Sequence, residues 1–215
     1  MILLSDPAIS AVTVRESGEP LIEMRPNEMF IDDRKKEQNA GCTWIREGLA
    51  GKLHQAQRRL PSGVSFLLVE GHRLPELQLQ HFEEYWNELA EIHPDWTEVQ
   101  LRPETARYVS PPEVAPHCTG GAIDLTLCTD TGIELNLGTR INASPIESEN
   151  RCYTAAVDLP DDALANRRLL IEVLTAVGLV NYPTEWWHWS FGDRYWALMS
   201  GNDSPYGPTR VDSAA

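Results

Sequence analysis

The stretch HCTGGAIDLTLCT, residues 117–129, decides how the rest of the sequence is interpreted. Ile123, Leu125 and Leu127 alternate with polar residues, and this period of two predicts a β-strand with one apolar face. The paired glycines before the strand allow a sharp turn. An acidic side chain between such apolar neighbours is costly to bury without a cation or a donor, so Asp124 indicates a specific site.

Outward from this strand, the pattern predicts a mixture of strands and helices. Short apolar or aromatic runs over 64–71 and 185–191 predict two further strands. Apolar stripes at helical spacing predict helices over 42–60, 75–93 and 161–180. Because these elements do not alternate as they do in a doubly wound sheet, we expect an α+β fold, with a mostly antiparallel central sheet and helices packed on one face.

The remaining segments are predicted to be irregular. Prolines are frequent over 103–117 and turn residues over 135–153, so both are expected to be loops. The first 35 or so residues are interpreted as extended chain that wraps the core, and residues 201–215 as a loose tail. We expect residues 1–215 to form a single domain, since this length suffices for a sizeable core.

The composition restricts the partners of this chain. With 32 acidic and 18 basic residues the formal net charge is -14, and so acidic a surface repels the phosphates of nucleic acids. No stretch approaches the roughly 20 apolar residues of a membrane helix, so no membrane partner is expected. The start, MILLSDPAIS, lacks the features of a secretory signal, which predicts a cytoplasmic location. Whether the chain forms a homodimer stays open.

Four residues in two short motifs can carry chemistry. His117 and Asp124, together with His188 in EWWH, form a set of two imidazoles and one carboxylate. Catalytic zinc typically uses three protein ligands of these types and keeps a fourth position open. Glu185 lies three residues before His188, and a bend near Pro183 would bring both to one site. We therefore predict one Zn²⁺ per chain, with Glu185 as the base that moves a proton from water to the leaving amine.

Arg73 is a candidate for stabilising the charge that develops on a substrate oxygen. It follows the predicted strand over 64–71, where its guanidinium can aim at a carbonyl, and removing one such donor commonly costs ~2.7–4 kcal/mol of barrier. A structural salt bridge with Glu70 or Glu76 is the alternative. The patterns H-x6-D and E-x-x-H are short, so spacing alone also leaves open a site without metal.

The cysteines and tryptophans have simpler interpretations. The four cysteines form no C-x-x-C pair, which disfavours a structural zinc site of the cysteine type. Cys118 sits beside a proposed ligand, where a thiol can compete for metal or oxidise, and we interpret it as a neighbour that does not bind. The tryptophans of EWWHW are interpreted as core packing rather than a substrate platform, although Trp187 is kept as a candidate substrate contact.

At these residues the sequence resembles a known family. HCTGGAIDLTL and EWWHWSF are similar to the two signature segments of the VanX-type D-Ala-D-Ala dipeptidases, zinc enzymes related to the D,D-carboxypeptidases. EGHRLPE resembles the segment that carries the family's catalytic arginine, and LNLGT resembles a family M-G-T segment. The resemblance runs from about residue 40 to about residue 200, and these motifs in this order are specific.

The resemblance implies a role for each matching residue. It implies zinc on His117, Asp124 and His188, with Glu185 as base and Arg73 steadying the transition state. It also implies a compact α+β fold. The form EWWH favours the dipeptidase branch, because the carboxypeptidase relatives more often carry a proline after the glutamate.

Two positions depart from the family pattern and affect the expected substrate. Ala115 stands where the family usually has a serine that helps to hold substrate. Asn136 stands where relatives often have an acidic group for the substrate amine, and a neutral amide holds an ammonium group less strongly.

Three hypotheses follow from the sequence. The first is a zinc dipeptidase that acts on D-Ala-D-Ala or a similar small dipeptide. The second keeps the zinc chemistry in a D,D-carboxypeptidase, or in an amidase or peptidase of specialised metabolism. The third is a zinc-binding module without turnover.

Overall fold

The strands form one five-stranded sheet and one two-stranded ribbon. In the computed structural model, which describes residues 1–211, they are β1 (Leu21–Glu23), β2 (Phe30–Ile31), β3 (Trp44–Arg46), β4 (Val64–Glu70), β5 (Ala122–Thr129), β6 (Val180–Asn181) and β7 (His188–Ser190). The sheet has the order β2-β4-β5-β7-β6, parallel between β2 and β4 and antiparallel elsewhere. β1 and β3 pair antiparallel in the ribbon. The predicted mostly antiparallel central sheet is confirmed.

The helices of the described residues are α1 (Pro7–Ala11), α2 (Glu47–Gln57), α3 (Pro75–Ile92), α4 (Glu98–Thr105), α5 (Asp161–Thr175) and α6 (Arg194–Ser200). α3 begins at Pro75 as predicted, because proline fits the first position of a helix. α2 is shorter than the predicted helix over 42–60. The first part of the predicted helix instead contains β3, where Ile45 pairs with Ile22 of β1. The apolar spacing in this part therefore belongs to a strand.

The apolar face of β5 joins α2 and α5 in the main core. Ile123, Leu125 and Leu127 are fully buried in one cluster with residues of both helices. Burying each such side chain stabilises the fold by about 1.5–3 kcal/mol. Asp124 alternates with them and therefore points to the opposite face of the sheet. The predicted α+β fold is confirmed, and β5 separates its core from the residues that were predicted to carry chemistry.

Helices α3 and α4 share a second apolar cluster, which contains Phe82, Tyr85, Leu89, Leu101 and Val109. The prediction of an irregular segment over 103–117 is wrong only for residues 103–105, which belong to α4, because the rest of the segment consists of turns and short 3₁₀ helices. α4 starts with reciprocal hydrogen bonds between Thr97 and Gln100, a capping box that satisfies backbone N–H groups at the helix end. Pro103 lies near its other end, two residues before the helix stops. Capping and burial thus outweigh the cost of a proline in a helix.

The segment 201–211 is packed against the body of the protein, so the prediction of a loose tail is wrong for these residues. Ser204 and Tyr206 are buried, and the Tyr206 hydroxyl donates to Glu19 at 2.8 Å. Thr209 donates its N–H to the Cys118 carbonyl, also at 2.8 Å. Residues 212–215 of the predicted tail lie outside the described residues. Among the described helices, none combines the length and the apolar character needed to cross a bilayer.

Candidate active site

The three predicted metal ligands come together beside β5. His117 lies in the 3₁₀ turn Pro116–Thr119, and His188 begins β7 directly opposite Asp124 of β5. His188 Nδ1 lies 3.0 Å from Asp124 Oδ1 and 3.1 Å from His117 Nε2. His117 Nε2 lies 3.3 Å from the same Asp124 oxygen. One ligand atom of each residue lies within 4.8 Å of the others, close enough for all three to bind one ion.

Two glycines form the turn between the first two ligands. Gly120 ends the 3₁₀ turn with φ 70°, a left-handed conformation that side chains disfavour. A Cβ atom at Gly121 would lie 2.5 Å from the backbone oxygen of Phe191, too close for a real contact. The sharp turn predicted from the sequence is therefore present, and it requires residues without side chains.

A backbone carbonyl orients His117. Its Nδ1 lies 2.7 Å from the oxygen of Gly71, which can only accept, so Nδ1 carries the hydrogen. Nε2 consequently presents its lone pair toward Asp124 and His188. The N–H of Arg73 donates to the His117 carbonyl at 3.2 Å. The end of β4 thus fixes both the position and the tautomer of this ligand, as is common for metal-binding histidines.

The donor set fits a zinc ion. Asp124 is 3% exposed, and its salt-bridge partners among the described residues are the two histidines. Burial opposes the charge of this carboxylate, yet His117 and His188 hold its pKa well below the usual range. Two imidazole nitrogens and one carboxylate oxygen form a typical catalytic zinc set. His188 faces the set with Nδ1, as its distances to Asp124 and His117 show, while its Nε2 is buried without a hydrogen-bond partner among the described residues.

A turn before β7 brings Glu185 to the same side as His188. The Glu185 N–H donates to the Tyr182 carbonyl at 3.0 Å, and the His188 N–H donates to the Glu185 carbonyl at 3.2 Å. The strand predicted over 185–191 therefore covers only His188–Ser190. Glu185 Oε2 lies 3.9 Å from His188 Nδ1. Burial, reinforced by the charge of Asp124, raises the pKa of Glu185 well above its usual value, which suits a group that takes up a proton.

Arg73 is held from two sides at the end of β4. Nε and Nη2 donate to the two carboxylate oxygens of Glu70 at 2.8 and 2.7 Å, and Nη1 donates to Gln78 Oε1 at 2.8 Å. The alternative of a salt bridge with Glu70 is thus present, whereas Glu76 pairs with Arg210. A guanidinium has five N–H donors. One hydrogen on each Nη atom is left by these contacts and can donate to a substrate.

Glu70 and Gln78 orient Arg73, although sequence reasoning had placed neither of them in the site. Burial would raise the pKa of Glu70, but the charge and hydrogen bonds of Arg73 outweigh it and lower that pKa to about 2. Asn39 Nδ2 also donates to Glu70, at 2.9 Å. Gln78 lies on the buried stripe of α3, among Phe82 and other apolar residues. A polar residue on an apolar stripe was the signal that could have found it.

The predicted catalytic and metal-binding residues line one cavity of about 280 Å³. Cavities of a few hundred Å³ bind small molecules. Lys35, Glu84 and Glu88 add charges of both signs to its lining, and Leu4 and Val109 add aliphatic surface. The structure thus places the predicted chemistry in a pocket of mixed polarity.

The three candidate substrate contacts lie outside the lining of this cavity. Ala115 is buried just before the turn that carries His117. Asn136 is exposed, and its Nδ2 donates to Asp162 at 3.0 Å. Trp187 is 1% exposed and packs in the core, with its ring 5.4 Å from that of Trp186. Core packing, the preferred interpretation for Trp187, agrees with this position. Cys118 is also buried outside the lining.

Comparison with known proteins gives matches to peptidases. The family model described as D-ala-D-ala dipeptidase matches residues 31–204. A D-alanyl-D-alanine dipeptidase of Synechocystis sp. is 31% identical over 97 residues, which cover 42% of this chain and 39% of that protein. A D-alanyl-D-alanine dipeptidase of Escherichia coli is 36% identical over 72 residues, which cover 34% of this chain and 35% of that protein. The chain thus spans less than two fifths of the length of these curated relatives.

Two solved structures are distantly similar. VanYB in complex with D-alanine-D-alanine has a TM-score of 0.47 and 15% identity, covering 92% of this chain and 95% of that chain. The LdcB LD-carboxypeptidase has a TM-score of 0.46 and 15% identity, covering 89% of this chain and 77% of that chain. Likeness at this level carries no argument about the site.

Proposed function

Because this chain belongs to the D-ala-D-ala dipeptidase family of peptidases, we propose that it is a zinc-dependent enzyme that hydrolyses a small dipeptide, D-alanyl-D-alanine above all. The observation that carries the proposal is the convergence of His117, Asp124 and His188, with Glu185 and Arg73, on one cavity. The position of each group suggests its part in the reaction.

His117 Nε2, Asp124 Oδ1 and His188 Nδ1 are the atoms proposed to hold the ion. They converge, and the hydrogen bond from His117 Nδ1 to the Gly71 carbonyl keeps the Nε2 lone pair available. When bound, zinc supplies Lewis acidity that lowers the pKa of water from 15.7 toward ~7. The pocket supplies the remaining groups from the protein itself.

Glu185 is proposed to take up the proton at its carboxylate and to hand it to the leaving amine. Its Oε2 lies 3.9 Å from His188 Nδ1, beside the proposed ligands. Because burial raises its pKa, Glu185 holds a proton more readily than an exposed glutamate does. Proton transfer by a positioned side chain typically contributes 10²–10⁴-fold to the rate.

Arg73 is proposed to stabilise the peptide carbonyl oxygen as it gains charge. Glu70 and Gln78 take three of its five N–H donors, which leaves one hydrogen on each Nη atom for the substrate. Its orientation is fixed before the substrate arrives, so little reorganisation is needed during the reaction.

Charges at the rim of the cavity support a zwitterionic substrate. Glu84 and Glu88 lie one turn apart on α3 and line the cavity, where their carboxylates can attract the free ammonium group of a dipeptide. Lys35 adds a positive charge for the carboxylate end. Asn136 was the candidate contact for the substrate amine, but it lies away from the cavity. We propose that Glu84 and Glu88 bind this amine instead.

Substituting Glu185→Gln tests the proposed chemistry. The amide keeps the size of the side chain but cannot accept the proton, so turnover of D-Ala-D-Ala should fall at least about 100-fold while bound zinc stays near one per chain. Glu83→Gln, an exposed position on α3, is the matched control and should keep full activity. Unchanged turnover in Glu185→Gln would contradict the proposed base.

A second cavity supports the D,D-carboxypeptidase as the second candidate. It measures about 530 Å³ and shares Tyr85 with the catalytic cavity. Its lining includes His93 and Trp96, whose rings stack 3.7 Å apart. This candidate requires a longer peptide to pass Tyr85 from the catalytic cavity into this space. Hydrolysis of D,D-, L,D- and L,L-dipeptides beside an N-capped D-Ala-D-Ala peptide separates the two, since a strict dipeptidase leaves the capped peptide intact.

A further inference from the structure

We infer that the N-terminal segment, residues 1–12, sets the size of the substrate that the catalytic cavity accepts, and that Leu4 is its specificity-determining residue. This rests on the proposed function, because it concerns the same cavity. The family match begins only at residue 31. A wall contributed by residue 4 therefore comes from outside the matched region, whereas all the proposed catalytic groups lie within it.

Leu4 is a fixed part of the cavity wall. The residue lines the cavity and is 3% exposed. The Leu4 N–H donates to the Tyr182 hydroxyl at 3.2 Å, and that hydroxyl in turn donates to the Ala106 carbonyl. Tyr182 also lines the cavity. The backbone of the N-terminal segment is thus bonded to a residue of the site itself.

The body of the protein holds the segment in this position. Leu4 and Ile9 are buried in a small apolar cluster with Val114, Tyr182 and Tyr195. In addition, Nη1 of Arg194, at the start of α6, donates to the carbonyls of Ser10 and Val12. These contacts anchor the segment at both ends, so Leu4 is not free to swing away when a larger substrate arrives.

The chemistry of the wall suits a small apolar side chain. Among the described residues that line the cavity, Leu4 and Val109 are the aliphatic ones, and most of the others are charged or polar. A wall of this kind accepts a methyl group and excludes a longer side chain. One methylene more or less in an apolar pocket changes selectivity by about 10–200-fold.

The test compares the kcat/KM values of larger and smaller dipeptides after the side chain of Leu4 is shortened. Leu4→Ala should raise kcat/KM for D-Leu-D-Ala or D-Ala-D-Leu, relative to that for D-Ala-D-Ala, by at least about tenfold. Ile9→Ala is the matched control, because Ile9 is buried in the same cluster but does not line the cavity. Ile9→Ala should lose about as much stability as Leu4→Ala, but its preference for substrate size should stay that of the wild type.

Each outcome decides between the claims. An unchanged preference in folded Leu4→Ala, or an equal shift in Ile9→Ala, overturns the inference. If Leu4→Ala does not fold, Leu4→Val must show a smaller shift of the same sign. If the wild type hydrolyses no dipeptide, the proposed function fails. Calorimetric binding of the same dipeptides to the zinc-loaded protein then decides, and equal relative affinities in wild type and variant overturn the inference.

Discussion

Nη1 of Arg73 donates a hydrogen bond of 2.8 Å to Oε1 of Gln78, a fully buried amide on α3. Gln78 in turn donates from Nε2 to the Ser110 carbonyl at 2.8 Å. Arg73 therefore lies between one carboxylate, that of Glu70, and one neutral amide. The neutral partner orients the guanidinium without cancelling more of its positive charge.

Replacing Gln78 should affect the reaction more than substrate binding. Gln78→Glu gives Arg73 a second carboxylate, so we expect kcat to fall about 10–100-fold with a smaller change in KM, less than the 10²–10³-fold typical of deleting a donor outright. Gln55→Glu adds the same charge at an exposed position of α2, away from the cavity, and should leave both constants unchanged. Zinc content should be equal in both variants, and a fall in kcat that follows lost zinc would refute the positioning role.

Removing a ligand should remove the metal and part of the stability. His117→Ala leaves Asp124 and His188 alone, so zinc measured by atomic absorption should fall from about one per chain to near zero. An ion at 1,000 times its Kd stabilises the folded state by ~4.1 kcal/mol, so a chelator should lower the Tm of the wild type but not that of the variant. His54→Ala, in the last turn of α2, should keep its zinc. Zinc retained by His117→Ala would exclude His117 as a ligand.

The glycine turn can be tested for strain and for close contact separately. Gly120 and Gly178 both have positive φ, but a Cβ atom would collide with Leu21 only at Gly120, whereas at Gly178 it would meet nothing within 4 Å. Gly178→Ala should cost about 1–2 kcal/mol through backbone strain alone. Gly120→Ala should cost more in urea unfolding and should also lower activity, because it shifts His117 relative to Asp124. Equal losses of unfolding free energy in the two variants would show that the contact with Leu21 plays no part.

The stability of the protein should depend on pH through Asp193. Burial raises the pKa of this side chain from 3.8 to about 6. Between pH 4 and 6 the folded state therefore binds more protons than the unfolded state, and stability falls as pH rises. Asp193→Asn keeps an oxygen for the Trp196 N–H that Asp193 caps but does not titrate. From pH 4 to 7 the wild type should lose roughly 2–3 kcal/mol more than the variant, and parallel pH curves would contradict this.

The sequence predicted the metal set through the residue types of two short motifs and their resemblance to the dipeptidase family, because spacing alone also left a site without metal open. Asp124 stands between apolar residues on a strand, and this alternation alone indicates that it faces away from the core. Arg73 likewise follows a short apolar run, so its place at a strand end could be predicted. The turn that carries Glu185 could be expected only because Pro183 interrupts the segment.

The parts that were missed depend on contacts between distant segments. The start of the predicted first helix became β3, because Ile45 pairs with Ile22 and no periodicity records that pairing. Leu4 and Gln78 reach the site through the packing of α3 and of the N-terminal segment, which the sequence does not encode locally. Helix α6 was overlooked although Asp193 caps its start and Gly201 ends it, and these were recognisable signals.

The strand β5 has a consequence for how this protein can change. Its apolar odd-numbered positions, such as Leu125, pack in the core, whereas Asp124 lines the cavity on the opposite face. Mutations on the core face therefore change mainly thermal stability, and mutations on the opposite face change mainly the chemistry. The two kinds of effect are largely independent. Laboratory evolution of a new selectivity could keep β5 constant and randomise lining residues outside the proposed catalytic and metal-binding groups, such as Leu4 and Val109, so that folding and chemistry survive while the preference drifts.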